Sequence, residues 1–358
     1  MIPLFKVYMS PTVTDAVGKT LMSGFIGQGP KVEEFEDLLW KELRTKTRPV
    51  TVNSCTSAID LALELCGVDR FSEVIATPQT CFASNVHIIH RHARIRWADI
   101  DPITGLIDPE SVKKLINSKT KAIVAVNWGG RFADYKALKS FGVPVIEDAA
   151  HCWDTFLTSN IERGDYICYS FQAIKFLTTA DGGILVCPPE KESQARILRW
   201  YGLDRTKNES FRCTQNITNV GFKYHMNDVN ATIGIENLPK AAQSVNMSRA
   251  NSRYYCENVN NELLTIPEWD SSCSYWLFSM HVKAGLKDHF IKYLENKQIT
   301  SSPVHFRNDQ YDTTKHFSEG PLPGVDSFTD TQVCIPNGWW LTQWDVFDIA
   351  KALNEYTA

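Results

Sequence analysis

Two rhythms of hydrophobic and polar residues alternate along the chain. Short runs rich in Val, Ile and Ala, apolar on both faces, occupy residues 50–53, 73–78, 95–99, 122–127, 143–148, 166–171 and 183–187. Between them lie segments with apolar positions three and four apart, such as Ala58, Leu61, Ala62 and Leu65. The first pattern predicts buried strands and the second amphipathic helices. Helices are expected over residues 32–40, 58–66, 80–90, 108–116 and 134–141, with another leading to Leu198. Alternation of this kind predicts an α/β fold, a mostly parallel sheet sandwiched by helices. The polar stretch 206–219 reads as a loop or flap. From about residue 245 the texture changes to a long helix, short strands such as 278–282, and an amphipathic helix over 287–296. A large α/β domain, residues 1–245, and a smaller C-terminal α+β domain, residues 246–358, are therefore expected.

Composition narrows the function classes. The chain has 358 residues, 43% of them hydrophobic, and a net charge of −4. That leaves no basic excess for nucleic acid. The N-terminal run Met1-Ile2-Pro3-Leu4-Phe5-Lys6 lacks the charged start and long apolar run expected of a signal peptide, and no apolar run is long enough to span a bilayer. The ten cysteines are scattered singly with no C-x-x-C pair. A reduced, cytoplasmic protein without a membrane partner is the expectation. His87, His90 and His92 fall on a helix and its exit without sharing a face, so no metal site is expected.

The chemistry concentrates between residues 143 and 183. A β-branched run stops on Asp148, delivering a carboxylate at the C-terminal edge of a parallel strand, where ligands of open α/β sheets sit. Lys175 follows, with Phe and Ile for neighbours, where an amine loses water and becomes nucleophilic. Earlier, Ser54-Cys55-Thr56-Ser57 leads a strand into a helix; Ser57 with Asp60 fits a capping box. Hydroxyls at a helix start, with free N–H groups, suit a phosphate. Pyridoxal phosphate needs this set: an amine from Lys175, an anion from Asp148 facing its ring nitrogen, and a cradle from Ser170, Thr56 and Ser57. A nicotinamide dehydrogenase is disfavoured because no strand leads into G-x-G-x-x-G. The loop Gly24 to Pro30 reads equally as a tight turn and as a ligand-facing loop.

The runs Asn53-Ser54-Cys55-Thr56-Ser57-Ala58, Ile146-Glu147-Asp148-Ala149-Ala150-His151, Ser170-Phe171-Gln172-Ala173-Ile174-Lys175 and Asp181-Gly182-Gly183 resemble motifs of the DegT–StrS nucleotide-sugar aminotransferases. So do Gly24 to Pro30 with Phe35-Glu36, and Gly221-Phe222-Lys223-Tyr224-His225-Met226. The resemblance implies the fold type I of pyridoxal-phosphate transferases and a homodimer with shared active sites. It implies that Lys175 is the lysine bonded to the cofactor, that Asp148 faces the pyridine nitrogen, and that His151 lies near the 3′-oxygen. Thr56, Ser57 and Ser170 match the phosphate-binding positions. The implied reaction moves an amino group, commonly from L-glutamate, to a keto group of a nucleotide-linked deoxysugar such as a 4-keto-6-deoxyhexose. Pyridoxal phosphate alternates with pyridoxamine phosphate in that reaction. Gln28, Trp128 and Arg307 are the candidates for the substrate side, Arg307 by meeting a phosphate or a carboxylate.

Three departures from the family pattern stand out. Cys81, followed by Phe82, occupies the place of the aromatic that stacks on the cofactor ring. Lys223 replaces an Asn that reaches the partner subunit's phosphate. Trp153-Asp154-Thr155 replaces the glycines usual after the Asp148 stretch. A related sugar dehydratase carries His at the lysine position, and Lys175 argues against it. An aminotransferase for a non-nucleotide keto-sugar and a non-catalytic cofactor-binding regulator are the remaining alternatives.

Overall fold

The computed structural model describes residues 1–153, 161–207 and 211–358, so Asp154, Thr155 and part of the expected flap lie outside the described residues. The strands are β1 (Val50–Val52), β2 (Glu73–Ala76), β3 (Arg94–Trp97), β4 (Thr120–Val126), β5 (Val145–Asp148), β6 (Tyr166–Ser170), β7 (Gly183–Val186), β8 (Leu264–Thr265), β9 (Phe278–Val282) and β10 (Gln332–Ile335). The helices are α1 (Val13–Met22), α2 (Pro30–Leu43), α3 (Cys55–Leu65), α4 (Val86–His90), α5 (Pro109–Leu115), α6 (Tyr135–Lys139), α7 (Pro189–Leu198), α8 (Phe211–Thr214), α9 (Asp228–Asn258), α10 (Lys287–Asn296), α11 (Pro323–Thr331) and α12 (Gln343–Asn354). The helix expected over 80–90 is a 3-10 turn, Phe82–Ser84, followed by the short α4.

Seven strands form the large sheet in the order β1-β7-β6-β5-β4-β2-β3. The pairs from β3 through β6 are parallel, and β7 runs antiparallel to both β6 and β1. The continuous apolar runs follow from helices on both faces. Val124, Ile146 and Leu185 pack with Ala58 and Leu61 of α3, Ile88 of α4 and Ala195 of α7. Their neighbours Ile123 and Val145 pack with Leu138 of α6, and Ile184 with Phe35 of α2 and Ala231 of α9. Successive side chains of a strand point to opposite faces, so both must be apolar when both are covered. The second sheet, β10-β9-β8, is antiparallel and has its own core with Phe290, Leu294 and Ile349.

The expected boundary at 245/246 falls inside α9, which runs unbroken through Pro239 from Asp228 to Asn258. Its buried positions Ala241, Val245, Ser248, Ser252 and Tyr255 keep one helical stripe, so burial overrides the break that Pro239 suggests. Val245 belongs to the core of the large sheet and Tyr255 to that of the small one. The N-terminal residues also reach the small sheet: Ile2 bridges to Ile299, and Leu4 and Phe5 pack with Trp276 and Leu277. Gly234 lets α9 approach α2, since a Cβ there would stand 2.4 Å from the Phe35 ring.

A buried charge network ties α2, β1 and α7 together. The Glu36 carboxylate, 1% exposed, accepts from Arg199 and Arg196 at 2.7 Å each, and from the Thr51 N–H at 3.0 Å and hydroxyl at 2.8 Å. Burial alone would push this carboxyl up; Arg199 and Arg196 outweigh it and hold the pKa at about 2, against an ordinary 4.5. A depressed carboxyl contributes stability that is present above pH 4.5 and is lost as pH falls toward about 2. Removing the carboxylate strands the buried Arg199. Glu36→Ala is expected to lower the unfolding free energy by about 3–5 kcal/mol in urea titration at neutral pH. A loss under about 1 kcal/mol would show that the network carries little stability.

Candidate active site

Asp148 ends β5, level with Val126 of β4 and Cys168 of β6, at the C-terminal edge of the parallel strands. It is 3% exposed. Its Oδ2 accepts from the Ser84 hydroxyl at 2.7 Å and its Oδ1 from the Ala150 N–H at 2.9 Å, with the Cys55 thiol 3.9 Å away. Asp148 enters no ion pair among the described residues. Burial pushes its pKa up, and the Ser84 and Ala150 hydrogen bonds and the Lys175 charge do not fully offset that.

Lys175 sits in the excursion between β6 and β7. That loop is closed at its base by Phe171 N–H to Gly182 and Thr179 N–H to Phe171, at 2.8 and 2.9 Å. From α9, Asn237 donates to the Thr178 carbonyl at 2.9 Å and Asn230 to that of Thr179 at 2.6 Å. The Lys175 Nζ stands 3.3 Å from the centre of the Trp276 indole and donates no hydrogen bond among the described residues. Burial lowers its pKa to about 8, against the upward pull of Asp148 and the thiols of Cys55, Cys81 and Cys152.

His151 lies beside these groups, its Nδ1 accepting from the Gly129 N–H at 3.2 Å and its ring stacked on Trp276 with centroids 4.2 Å apart. His305 runs nearly parallel to His151 at 5.9 Å, and Trp128 meets both imidazoles edge-on at 5.6 and 5.5 Å. Burial holds His151 well below its ordinary range, and burial with the Lys175 charge brings His305 to about 4. Both imidazoles are neutral at physiological pH.

The helix start is three residues earlier than its capping-box reading. Ser54, extended, is the N-cap and accepts from the Ser57 N–H at 3.0 Å, while Asp60 turns to Arg91 and the Tyr224 hydroxyl. The acid three residues after Ser57 pointed to that serine, but the extended backbone at Ser54 makes Ser54 the cap. The shift leaves Thr56 and Ser57 inside the first turn of α3. Gly183 is the register partner of both Ser170 and Val52. A Cβ on it would stand 2.6 Å from the Cys55 N. The missing side chain thus brings β7, with Ser170 beside it, against the N-terminus of α3.

The other candidates divide. Cys81 is exposed and its thiol is felt electrostatically by Lys175 and Cys55, whereas Phe82 packs edge-on against Tyr311 at 5.2 Å. Lys223 has an exposed side chain, and its carbonyl accepts from Asn53 at 3.3 Å, close to the start of α3. Gln28 is not gathered with Lys175; it lines a cleft of about 510 Å³ with Arg196, Arg199 and Arg205. Arg307 forks onto Asp309 at 2.8 and 2.7 Å and pairs with Asp326, so its charge is matched by carboxylates within the chain. Ser84, Trp276 and His305 were missed as site residues; His305, two residues before Arg307, was the near signal.

The DegT/DnrJ/EryC1/StrS aminotransferase family matches the chain over residues 8–354. The chain belongs to that family. Among solved structures it resembles AtS13 from Actinomadura melliaura, 34% identical, covering 100% of this chain and 99% of that one at a TM-score of 0.92. It also resembles the sugar aminotransferase CalS13 from Micromonospora echinospora, 30% identical over 99% of each chain at a TM-score of 0.91. The spore coat polysaccharide biosynthesis protein SpsC of Bacillus subtilis is 28% identical over 95% of this chain and 92% of its own. The fold is that of the type I pyridoxal-phosphate enzymes, and the chain is an enzyme of the sugar aminotransferase class.

The residues fit the cofactor of that class. Asp148 is a buried carboxylate without an ion-pair partner among the described residues, which a protonated ring nitrogen would supply. Lys175 offers a desolvated amine, and the α3 N-terminus with Ser170 offers a cradle for an anion. Asp148 therefore costs stability when the cofactor is absent: a raised carboxyl destabilises the fold once pH exceeds its unfolded pKa. Asp148→Asn is expected to raise the melting temperature of the cofactor-free chain at neutral pH, by the equivalent of about 1 kcal/mol, as active-site charges removed for stability do. An unchanged or lower midpoint in calorimetry would contradict it.

Proposed function

We propose that this enzyme transfers an amino group, with L-glutamate as donor, to the keto group of a nucleotide-linked deoxysugar, in the cytoplasm, for polysaccharide or glycan biosynthesis. The observation that carries the proposal is the meeting of Asp148, the desolvated Lys175 and the α3 N-terminus at one sheet edge, in a chain of the sugar aminotransferase family. Pyridoxal phosphate, when bound, supplies the electron sink that lets a substrate Cα–H bond break. Asp148 holds the ring nitrogen protonated, and Ser84 and the Ala150 N–H orient that carboxylate. Thr56, Ser57 and Ser170 would hold the phosphate. His151, neutral and fixed by Gly129, would lie near the ring oxygen. Cys81 would pack on the ring in place of an aromatic. Its placement toward Lys175, with Phe82 turned to Tyr311, supports that choice.

Lys175 would bond the cofactor and, once released, move the proton at the reacting carbon. Its pKa of about 8 lets it both accept and return a proton near neutral pH. Trp128 and His305 line the substrate side, with Nε1 and Nε2 that have no hydrogen-bond partner among the described residues. Lys223, exposed beside the start of α3, reaches the phosphate of the partner subunit in a homodimer with shared sites, and Gln28 approaches substrate across the same interface. The relation to SpsC, named for spore coat polysaccharide biosynthesis, supports the sugar pathway.

The test is incubation with L-glutamate and a panel of GDP-, UDP- and dTDP-linked keto-sugars, read by mass spectrometry. One nucleotide-sugar should exchange its oxo group for an amine, and no aminated product from any of them would overturn the proposal. Lys175→Ala should slow that conversion by at least about 100-fold. The wild-type rate of the proton-abstraction step should rise with pH and level off above about 8.

A further inference from the structure

The indole of Trp276 meets three parts of the site at once. Its Nε1–H donates to the carbonyl of Ile174, the residue before Lys175, at 2.9 Å. The centre of its ring lies 3.3 Å from the Lys175 Nζ. His151 stacks on it at 4.2 Å and Phe5 at 5.0 Å, with planes within 27° and 25° of parallel. Trp276 is 5% exposed and lies two residues before β9, so it is rooted in the small sheet and reaches across to the loop of the large one. One indole thus fixes both the main chain just before Lys175 and the position of its amine.

We propose that Trp276 is a positioning residue whose ring face holds the Lys175 amine when that amine is not bonded to the cofactor, and holds it most firmly in its ammonium form. The inference rests on the aminotransferase reading, in which the lysine is released from the cofactor for half of each cycle. An aromatic face carries negative charge density and attracts an ammonium, more strongly where water is excluded. Among the described residues the Nζ has no hydrogen-bond or ion-pair partner, which leaves the indole as its direct contact. The charged and titratable groups around the amine are Asp148 at the end of β5, His151 and Cys152 just after it, Cys55 at the start of α3, Cys81, and His305 from the C-terminal half. Burial favours the neutral amine; Asp148, the thiols and the indole face favour the ammonium, and the two neutral imidazoles leave that balance undisturbed. The Nε1–H bond to Ile174 keeps the face under the amine, so the lysine does not swing away when it is released.

The test uses the full chain, stripped with hydroxylamine, then labelled with trace acetic anhydride across a pH series. Acetylation of Lys175 is followed by peptide mass spectrometry, and repeated after loading with pyridoxamine phosphate. Trp276→Leu should lower the labelling midpoint of Lys175 by about one pH unit and speed its labelling at neutral pH several-fold. Trp276→Phe, which keeps an aromatic face, should stay within about half a unit of wild type. A wild-type midpoint and rate in Trp276→Leu overturns the inference. Should that variant fail to fold, fluorescence decides. Wild-type protein should show a step in tryptophan emission near the Lys175 midpoint, and Lys175→Met should lack it; the same step in Lys175→Met overturns the inference. Failure of pyridoxamine phosphate to bind leaves both readouts on the stripped chain intact and counts against the aminotransferase reading instead.

Discussion

The site depends on a buried carboxylate, Asp148, that enters no ion pair among the described residues. Asp148 is fixed by the register of β5 between β4 and β6, and it is dry because helices cover both faces of that sheet. Two short hydrogen bonds from Ser84 and Ala150 orient it without satisfying its charge. An isolated buried charge is expensive, so a fold that keeps one is arranged around what completes it. Here the amine of Lys175, lowered to about 8, and the open first turn of α3 face the same edge. Each is of limited use alone, and together they suit a flat, cationic ring with a phosphate tail.

The smaller sheet contributes more to this edge than its position in the chain suggests. Trp276 precedes β9 and supports Lys175; His305 comes from the segment before β10 and lies parallel to His151. The long α9 spans both cores, and its Asn230 and Asn237 hold the loop that carries the lysine. The N-terminal Phe5 also stacks on Trp276. The site is therefore a seam between two sheets, and the network around Glu36 stiffens the other end of the large one.

What the sequence disclosed follows a physical division. The strands were legible because burial on both faces forces unbroken apolar runs, and Asp148 and Lys175 because each closes or follows such a run. Ser84 was hidden because its partner is 64 residues away and a serine in a turn has no periodic signature. Trp276 was hidden for the same reason, its hydrogen bond spanning 102 residues. Asp60 pointed to Ser57 as the cap, and only backbone geometry chose Ser54. The length of α9 was not legible, because Pro239 lies inside it and only the buried stripe shows that the helix continues. Arg307 looked available in isolation, but Asp309 and Asp326 fold onto it and neutralise it.

The central claim is that Lys175 is the amine that bonds the cofactor. Its most direct test is reduction of the purified protein with borohydride in the presence of pyridoxal phosphate, followed by peptide mass spectrometry. The account predicts the mass of reduced pyridoxal phosphate on the peptide carrying Lys175, and its loss in Lys175→Ala. Stable attachment at another lysine, or none at all, would contradict it.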